Sequence, residues 1–354
     1  MKKVYVNSAS SISAQKTFDS DNFLTDVIEF NDTVIPVQNP NYKDYIPPAA
    51  ARRMAKGIKM GIVTSKAAVN EANLEQVDAI ITGTGMGCLR DSEKFLSNIL
   101  DNDEQYLTPT PFIQSTHNTV GGQIALEMQC KGYNFTYVHG SNSFESALMD
   151  AKLQLECNEA QNILVGGVDE IGDHTIKLLK LINNIKAEPV KSSELLQSNS
   201  TGTIFSEGAN FFVLSNEKQD SSYAQVVALE LFNKLPKNTL ADIAKNFLSE
   251  NDLDIKDIDL IILGNNGDVK FDDYYNELSS VIFKNTQQAY YKHLVGDFHT
   301  ASSFGFWLAA NILKKQILPE AIKLNNIKPS QFKNILLYNQ YRGENHSFTL
   351  LHQC

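Results

Sequence analysis

Short apolar runs that end in glycine, separated by longer amphipathic segments, form the main pattern of this chain. Residues 4–7 and 77–85 are β-branched and aliphatic runs of strand length, and the second ends in glycines where a strand would turn into a loop. Residues 49–73 follow Pro48, which suits a first helical turn, and have apolar positions at helical spacing. This alternation of buried strands and amphipathic helices predicts an α/β protein.

The strand at residues 77–85 has a second copy at residues 258–267, and an amphipathic helix precedes each copy. Asp78 and Asp259 occupy the same place in the two copies, and Asn162 and Asn334 open a second matching pair of apolar runs at nearly the same offset. Such a repeat indicates a duplicated unit. We therefore predict two similar halves, residues 1–218 and 219–354, packed as five layers, α/β/α/β/α. A plain doubly wound sheet is the structural alternative.

Composition narrows the class of protein. With 354 residues, 42% hydrophobic and 20% charged, the chain can bury a large core. A net charge of −10 argues against a nucleic-acid groove, and no apolar run reaches the roughly 18 residues of a membrane span. Neither a secretory apolar segment nor a Cys-x-x-Cys pair is present. We expect a reduced cytoplasmic protein without a metal or nucleotide cofactor, and with four unpaired cysteines: Cys88, Cys130, Cys157 and Cys354.

A predicted strand-to-helix elbow is the strongest candidate site. A β-branched and aromatic run over residues 135–138 stops at Gly140, and an amphipathic helix follows directly. Ser141 therefore lies at the start of a helix, where backbone N–H groups lack partners and favour an anion or a nucleophile.

The elbow also resembles the nucleophile region of the β-ketoacyl-(acyl carrier protein) synthases, which have the thiolase fold, a duplicated five-layer fold of the kind predicted above. The family places its cysteine where this chain has Ser141. Any single match is weak, but several similar motifs occur in the same order and spacing along most of the chain: residues 83–87, 132–151, 165–170, 202–209, 292–301 and 339–345.

This resemblance implies a site that departs from the family pattern. A decarboxylating synthase uses a thiol nucleophile and two imidazoles, which help to stabilise a developing enolate oxyanion. Here Ser141 takes the place of the cysteine. Asn266, or Asn265 if the loop shifts by one residue, takes the place of the first histidine, and Asp297 takes the place of the second. Asparagine cannot take up a proton, and a carboxylate would repel the enolate.

Lys292 matches the family's lysine at the start of the second loop. We expect it to be a buried structural lysine that bonds to loop carbonyls and to Asp297 or Glu207. The chain thus keeps the framework of the site while its three reacting positions differ.

A serine at the elbow would need a general base. A helix N-terminus contributes about 2 kcal/mol, roughly 1.5 pKa units, which brings a thiol from about 8.5 to about 7 but leaves an alcohol far higher. His139 and His117 are interpreted as structural or interface residues. His299, two residues beyond Asp297, is the best alternative base for Ser141.

A chain that keeps the synthase scaffold but lacks all three reacting groups resembles a chain-length factor. Such a factor is a synthase-like subunit that pairs with an active ketosynthase and sets product length. Overall likeness is greatest to the subunits of aryl polyene and flexirubin-type pigment synthesis. The expected partners are an active ketosynthase or a second copy, pairing near residues 135–138, and an acyl carrier protein whose phosphopantetheine-bound acyl group is a possible ligand. Bulky side chains near residues 110–120 would cap the partner's tunnel.

Two enzymatic alternatives remain open at this point. In one, Ser141 accepts an acyl group with His299 or His139 as base, giving an acyltransferase or hydrolase. In the other, the chain is a 3-oxoacyl synthase with serine in place of cysteine. The first alternative requires an imidazole within about 3 Å of the Ser141 hydroxyl.

Overall fold

The computed structural model describes residues 2–18, 20, 23–236 and 238–354. Ten of the strands in these ranges form one continuous sheet in the order β10-β9-β11-β12-β8-β1-β7-β5-β3-β4, and β2 and β6 form a small separate ribbon. The strands are β1 Val4–Ile12, β2 Asn31–Asp32, β3 Ala79–Gly83, β4 Tyr133–Tyr137, β5 Asn162–Asp169, β6 Val190–Lys191, β7 Gly208–Ser215, β8 Ala224–Lys234, β9 Leu260–Leu263, β10 Gln287–Tyr290, β11 Asn334–Tyr341 and β12 Glu344–His352.

The same strand arrangement occurs twice. In the first half β4, β3 and β5 run parallel and β7 is antiparallel to both β5 and β1. In the second half β10, β9 and β11 run parallel and β12 is antiparallel to both β11 and β8. The two halves meet where β1 pairs with β8, and the predicted boundary at residues 218 and 219 lies in the connection between β7 and β8. The predicted duplicated α/β architecture is confirmed.

The helices lie on both sides of these strands. In the described ranges they are α1 Pro48–Ala51, α2 Lys56–Glu71, α3 Leu89–Asp101, α4 Pro109–Ser115, α5 Thr119–Met128, α6 Ser143–Glu156, α7 Asp173–Leu181, α8 Leu240–Ser249, α9 Asp272–Asn276, α10 Lys292–Val295 and α11 Ser302–Lys315. None of them is both long and apolar enough to span a membrane.

Alternate strand residues divide the core into layers. Ile80 of β3 packs on one side against α2 and α5, whereas Ile81 packs on the other side against α6 and α11. In the second half Ile262 of β9 faces the same α6 and α11 layer, and Ile261 faces α8 and α9. Because side chains of a strand alternate between faces, each half buries both of its faces. The five predicted layers follow from this packing.

The helix predicted over residues 49–73 is divided in the structure. It consists of α1 and α2, separated by residues 52–55. The first turn of α2 is fixed by two buried carboxylates, since Glu170 accepts a 2.6 Å hydrogen bond from the Gly57 N–H and Glu207 pairs with Lys56. These long-range contacts set the start of α2, and the local sequence pattern does not contain them.

Candidate functional site

The elbow has the predicted geometry. Strand β4 ends at Tyr137, a single 3₁₀ turn covers Gly140–Asn142, and α6 begins at Ser143. Gly140 has φ +57°, a left-handed conformation that favours glycine. Ser143 fixes the turn, because its hydroxyl accepts from the His139 N–H at 2.9 Å and lies within 2.9 Å of the Thr84 carbonyl oxygen.

Ser141 is buried at this elbow with 2% of its surface exposed. Its hydroxyl accepts a hydrogen bond of 3.1 Å from the side-chain amide of Asn345, which lies on β12 of the other half. No imidazole nitrogen hydrogen-bonds to this hydroxyl in the described part of the chain. The alternative in which a histidine already sits about 3 Å from Ser141 is therefore not the arrangement of this structure.

Lys292, Asp297 and Asn266 form one buried network. Lys292 Nζ lies 2.8 Å from Asp297 Oδ1, and both side chains are 2% exposed. The Asn266 side-chain amide donates to Asp297 Oδ2 at 2.8 Å, and its own oxygen accepts from the Asp268 N–H at 3.1 Å. The charge of Asp297 is thus balanced by Lys292. Of the two carboxylates proposed as partners of Lys292, Asp297 is the one that binds it.

Backbone contacts hold this network in place. The Asp297 N–H donates to the Ile204 carbonyl at 2.7 Å, and the Asp297 carbonyl accepts from the Ser206 N–H at 3.0 Å. Two motifs singled out in the sequence, residues 202–209 and 292–301, therefore lie side by side. Glu207, in the first of them, pairs with Lys56 and accepts from the Ile171 N–H.

His299 lies above the elbow. Its ring packs so closely on Gly85 that a Cβ there would be 2.3 Å from ring atoms, and a Cβ on Gly140 would be 4.0 Å from His299 Nδ1. This nitrogen is buried and has no hydrogen-bond partner among the described residues. The ring also contacts Tyr341, with ring centroids 5.3 Å apart. His299 is therefore near Ser141 but not bonded to it.

A cavity of about 260 Å³ opens beside these residues. Asn266, Asp297 and His299 line it, together with Thr175 and Leu179 of α7. The remaining lining residues are Met86, Asn184, Thr203, Phe205, Asp268, Phe298, Tyr341 and Arg342. The cavity thus connects the positions singled out in the second loop with α7; Ser141 is not among its lining residues.

A family comparison agrees with this geometry. Residues 8–220 match the model of the beta-ketoacyl synthase N-terminal domain. The chain belongs to the beta-ketoacyl synthase family. Its elbow, with Ser141, falls inside the matched region, whereas Asn266, Lys292 and Asp297 lie outside it.

Solved structures of this synthase fold superpose over the whole chain. A beta-ketoacyl synthase from Burkholderia phymatum STM815 has a TM-score of 0.80 at 14% identity, with 100% of both chains covered. The ketosynthase ApeO in complex with its chain length factor ApeC from Xenorhabdus doucetiae gives 0.78 at 16%, covering 100% of this chain and 98% of that chain. A structure of a type II polyketide synthase acyl-carrier protein in complex with its ketosynthase has a TM-score of 0.79 at 12% identity, with 100% of this chain and 100% of that chain covered. A search of curated proteins found no match.

Other histidines of this synthase-family chain have different surroundings. His139 Nδ1 lies 2.9 Å from the Ser146 hydroxyl, and its ring contacts Tyr137. His117 is exposed and packs near Gly87. The Nδ1 of His139 is therefore occupied by Ser146 of α6 and not by Ser141 of the preceding turn.

Sequence reasoning missed two carboxyl groups at the site. Asp169 Oδ1 accepts from Gly85 N–H at 2.8 Å, and its Oδ2 accepts from the Thr300 N–H at 2.9 Å, so it ties the loops on either side of His299 together. Glu145, in the first turn of α6, accepts from the Ser347 hydroxyl at 3.1 Å, and its other oxygen is buried without a hydrogen-bond partner among the described residues. Two features of the sequence could have indicated these residues. The run at residues 165–170 ends in two acidic residues, the first of which is Asp169, and Glu145 is a charged residue among the apolar positions of α6.

Within the described residues no group of three or more histidine, cysteine or acidic side chains is arranged to hold a metal ion.

Proposed function

We propose that this chain is a ketosynthase-like subunit without condensing activity of its own, which acts as a chain-length factor to an active ketosynthase in the cytoplasm. The observation that carries the proposal is the closed network at the reacting positions. Asp297 bonds to both Asn266 and Lys292, and Ser141 accepts a hydrogen bond from Asn345.

The chemistry of these groups supports the proposal. Condensation needs a nucleophile that is ionised or beside a base, and a donor that stabilises an enolate oxyanion. Ser141 is an alcohol whose hydrogen-bond partner is an amide, which cannot accept its proton. Asp297 would present a negative oxygen to the enolate, and its positive neighbour Lys292 is already paired with it. These contacts support a subunit that supplies neither of the two required functions.

The free edge of the sheet supports the proposal that a partner subunit binds there. Strand β4 is at one end of the strand order, and its Tyr133 and Phe135 are 44% and 45% exposed. On α4, in the segment where bulky side chains were predicted, Phe112 and Ile113 are 54% and 57% exposed. An unpaired edge flanked by apolar side chains suits strand addition by another subunit. We propose an active ketosynthase as that subunit, with a second copy of this chain as the alternative.

The acyl group on the phosphopantetheine of a carrier protein is the ligand that we propose for the assembly. The complexes named above, a ketosynthase with its chain length factor and a ketosynthase with its acyl-carrier protein, share this fold and support these kinds of partner. Pigment synthesis of the aryl polyene type is the pathway class that we favour.

Intact-mass spectrometry with an acyl-charged carrier protein tests the proposal. The chain is incubated alone and with an active ketosynthase, and Ser141→Ala is run in parallel. We expect no acyl adduct on this chain, acylation of the ketosynthase only, and a changed product length when this chain is present. An adduct on the lone chain that disappears in Ser141→Ala would overturn the proposal.

One observation favours a second candidate, an acyltransferase or hydrolase that uses Ser141. The unpartnered Nδ1 of His299 lies close to the Gly140 turn, so a small movement would bring it towards the hydroxyl. In that case His299→Ala should remove acylation as completely as Ser141→Ala does. A 3-oxoacyl synthase would in addition need an oxyanion donor at Asn266 or Asp297.

A further inference from the structure

A second cleft, lined by residues of both halves, is separate from the cavity beside Asn266 and Asp297. It has a volume of about 590 Å³, and among the described residues the two spaces share no lining position. Volumes of roughly 300–1,000 Å³ with mostly apolar walls are typical of small-molecule sites. The aliphatic residues that line this cleft are Val27, Ile28, Leu196, Leu294, Ala321 and Leu324. The cleft is therefore large enough for a ligand of its own.

Gln15 holds two walls of this cleft together. Its side-chain amide donates to the Ile28 carbonyl at 3.0 Å and to the Leu294 carbonyl at 2.8 Å. Its side-chain oxygen accepts from the Ile28 N–H at 2.7 Å. Gln15 is buried, so these bonds are shielded from water. The backbone on the two sides of the cleft is thus fixed before any ligand binds.

One polar group that borders the cleft lacks a partner. His293 of α10 is buried, and its Nε2 lies 2.8 Å from the Ala321 carbonyl oxygen. Burial lowers the pKa of His293 to about 4, so the ring is neutral at pH 7 and carries a single N–H. Because a carbonyl oxygen can only accept, this hydrogen is on Nε2, and Nδ1 is a hydrogen-bond acceptor. Nδ1 is buried without a hydrogen-bond partner in the described part of the chain, which is unfavourable unless a donor is supplied.

The charged side chains that line the cleft already have partners. Lys323 pairs with Glu320, and Glu29 accepts a hydrogen bond from the Ser193 hydroxyl. A charged ligand would have to compete with these contacts and leave water for a mainly apolar space. A neutral ligand therefore matches the lining better than a charged one.

We propose that this cleft binds a neutral, mainly apolar molecule that carries a hydroxyl group, and that the hydroxyl donates to His293 Nδ1. The aliphatic walls cover the apolar body of the ligand. The ring of Tyr290, which stacks on His293 with centroids 3.8 Å apart, also lines the cleft. Phenols and aliphatic alcohols share this chemistry. Binding here does not depend on the proposed function, because the cleft and the site cavity have different linings.

Isothermal titration with two alcohols and their methyl ethers tests the site. Para-ethylphenol is compared with para-ethylanisole, and hexanol with methyl hexyl ether, since each ether lacks the O–H donor. We expect wild type to bind at least one of the alcohols, and to bind the matching ether about tenfold more weakly, because one hydrogen bond is lost. Binding of only one alcohol identifies the ligand class as aromatic or aliphatic.

Three variants locate the bound alcohol. Leu196→Trp places a large ring at a half-buried position of the cleft and should abolish binding. Leu179→Trp is the matched control, because it makes the same change at a half-buried position of the site cavity and should leave binding unchanged. His293→Phe keeps a ring beside Tyr290 but removes the acceptor, so the alcohol and its ether should bind equally.

Any of several results would overturn the inference. They are no binding of either alcohol to wild type, an ether that binds as tightly as its alcohol, binding that Leu196→Trp leaves unchanged, binding that Leu179→Trp abolishes, and a folded His293→Phe that still prefers the alcohol. Circular dichroism checks the fold of each variant. If His293→Phe does not fold, the comparison of alcohol with ether in wild type and the two tryptophan variants decide the question.

Discussion

At the scale of residues, two buried carboxyl groups lie near one buried lysine. Lys292 is paired with Asp297, and Glu145 is a second carboxyl group within reach of the same positive charge. Burial raises the pKa of Glu145 above its ordinary value, and the hydrogen bond from Ser347 together with the charge of Lys292 opposes that rise. A raised pKa means that the folded protein holds this proton more tightly than the unfolded chain does.

The sign of the pH dependence follows. A carboxyl group with a raised pKa contributes stability below its ordinary pKa of 4.5 and loses that contribution as the pH rises through the raised value. In Glu145→Gln the loss should be absent. Between pH 4.5 and the raised pKa, we expect the unfolding free energy of the variant to increase relative to that of wild type by about 1.4 kcal/mol for each pH unit.

Urea unfolding between pH 4.5 and 8 measures this difference. The same substitution at the exposed Glu75 controls for removal of a carboxylate. A variant that becomes less stable than wild type as the pH rises would show that Glu145 is ionised and stabilised by Lys292, contrary to the expectation.

At the scale of elements, an aspartate at the equivalent position in each half joins two strands. Asp78 accepts hydrogen bonds from the N–H groups of Gln161 and Asn162 at 2.8 and 2.9 Å. Asp259 accepts from the N–H groups of Lys333 and Asn334 at 2.7 and 2.9 Å. The repeated aspartate found in the sequence therefore fixes the start of the β3–β5 pair in one half and of the β9–β11 pair in the other.

Removing either carboxylate should have a similar effect. Asp78→Ala and Asp259→Ala each leave two N–H groups without their carboxylate, which we expect to cost about 1–2 kcal/mol of unfolding free energy. The two sites share no partner, so the double variant should lose the sum within about 0.5 kcal/mol.

Denaturant unfolding of the single and double variants measures these losses. Asp78→Asn and Asp259→Asn serve as controls, because asparagine keeps an acceptor oxygen and should cost less. A double variant no less stable than either single variant would contradict independent action of the two clamps.

At the scale of the whole molecule, the two ends of the sheet differ. Strand β10 is buried along its length, whereas β4 has exposed residues and a ladder of aromatic side chains. Tyr133 stacks on Phe135 and Phe135 contacts Tyr137, with ring centroids 6.0 and 4.9 Å apart. Edge strands that stay open invite pairing with another chain, so this end is where a partner subunit is expected.

A charge on the β4 edge should prevent that pairing. We expect Phe135→Lys to remain folded, since Phe135 is already 45% exposed, and to lose stable association with a ketosynthase or with a second copy. Analytical ultracentrifugation measures the association and circular dichroism the fold. Val281→Lys, at an exposed position far along the chain, is the matched control. Unchanged association in Phe135→Lys would place the partner surface elsewhere.

The sequence by itself determined the architecture and the elbow. Apolar runs of strand length, the repetition of Asp78 at Asp259, and Gly140 before an amphipathic helix can each be seen in a short stretch of the sequence. Strand β1 was longer than predicted, because its serines are buried beside neighbouring strands and the polar residues gave no sign of this.

Only the tertiary structure decided how the site is bonded. Ser141 and Asn345 are 204 positions apart, and Asn266 and Asp297 are 31 apart, so no local pattern reports their contact. The break between α1 and α2 likewise depends on distant residues, because Glu170 and Glu207 set the start of α2. The sequence specifies which polar and charged side chains are present. Which of them hydrogen-bond or form ion pairs with one another depends on the long-range packing that brings distant segments together.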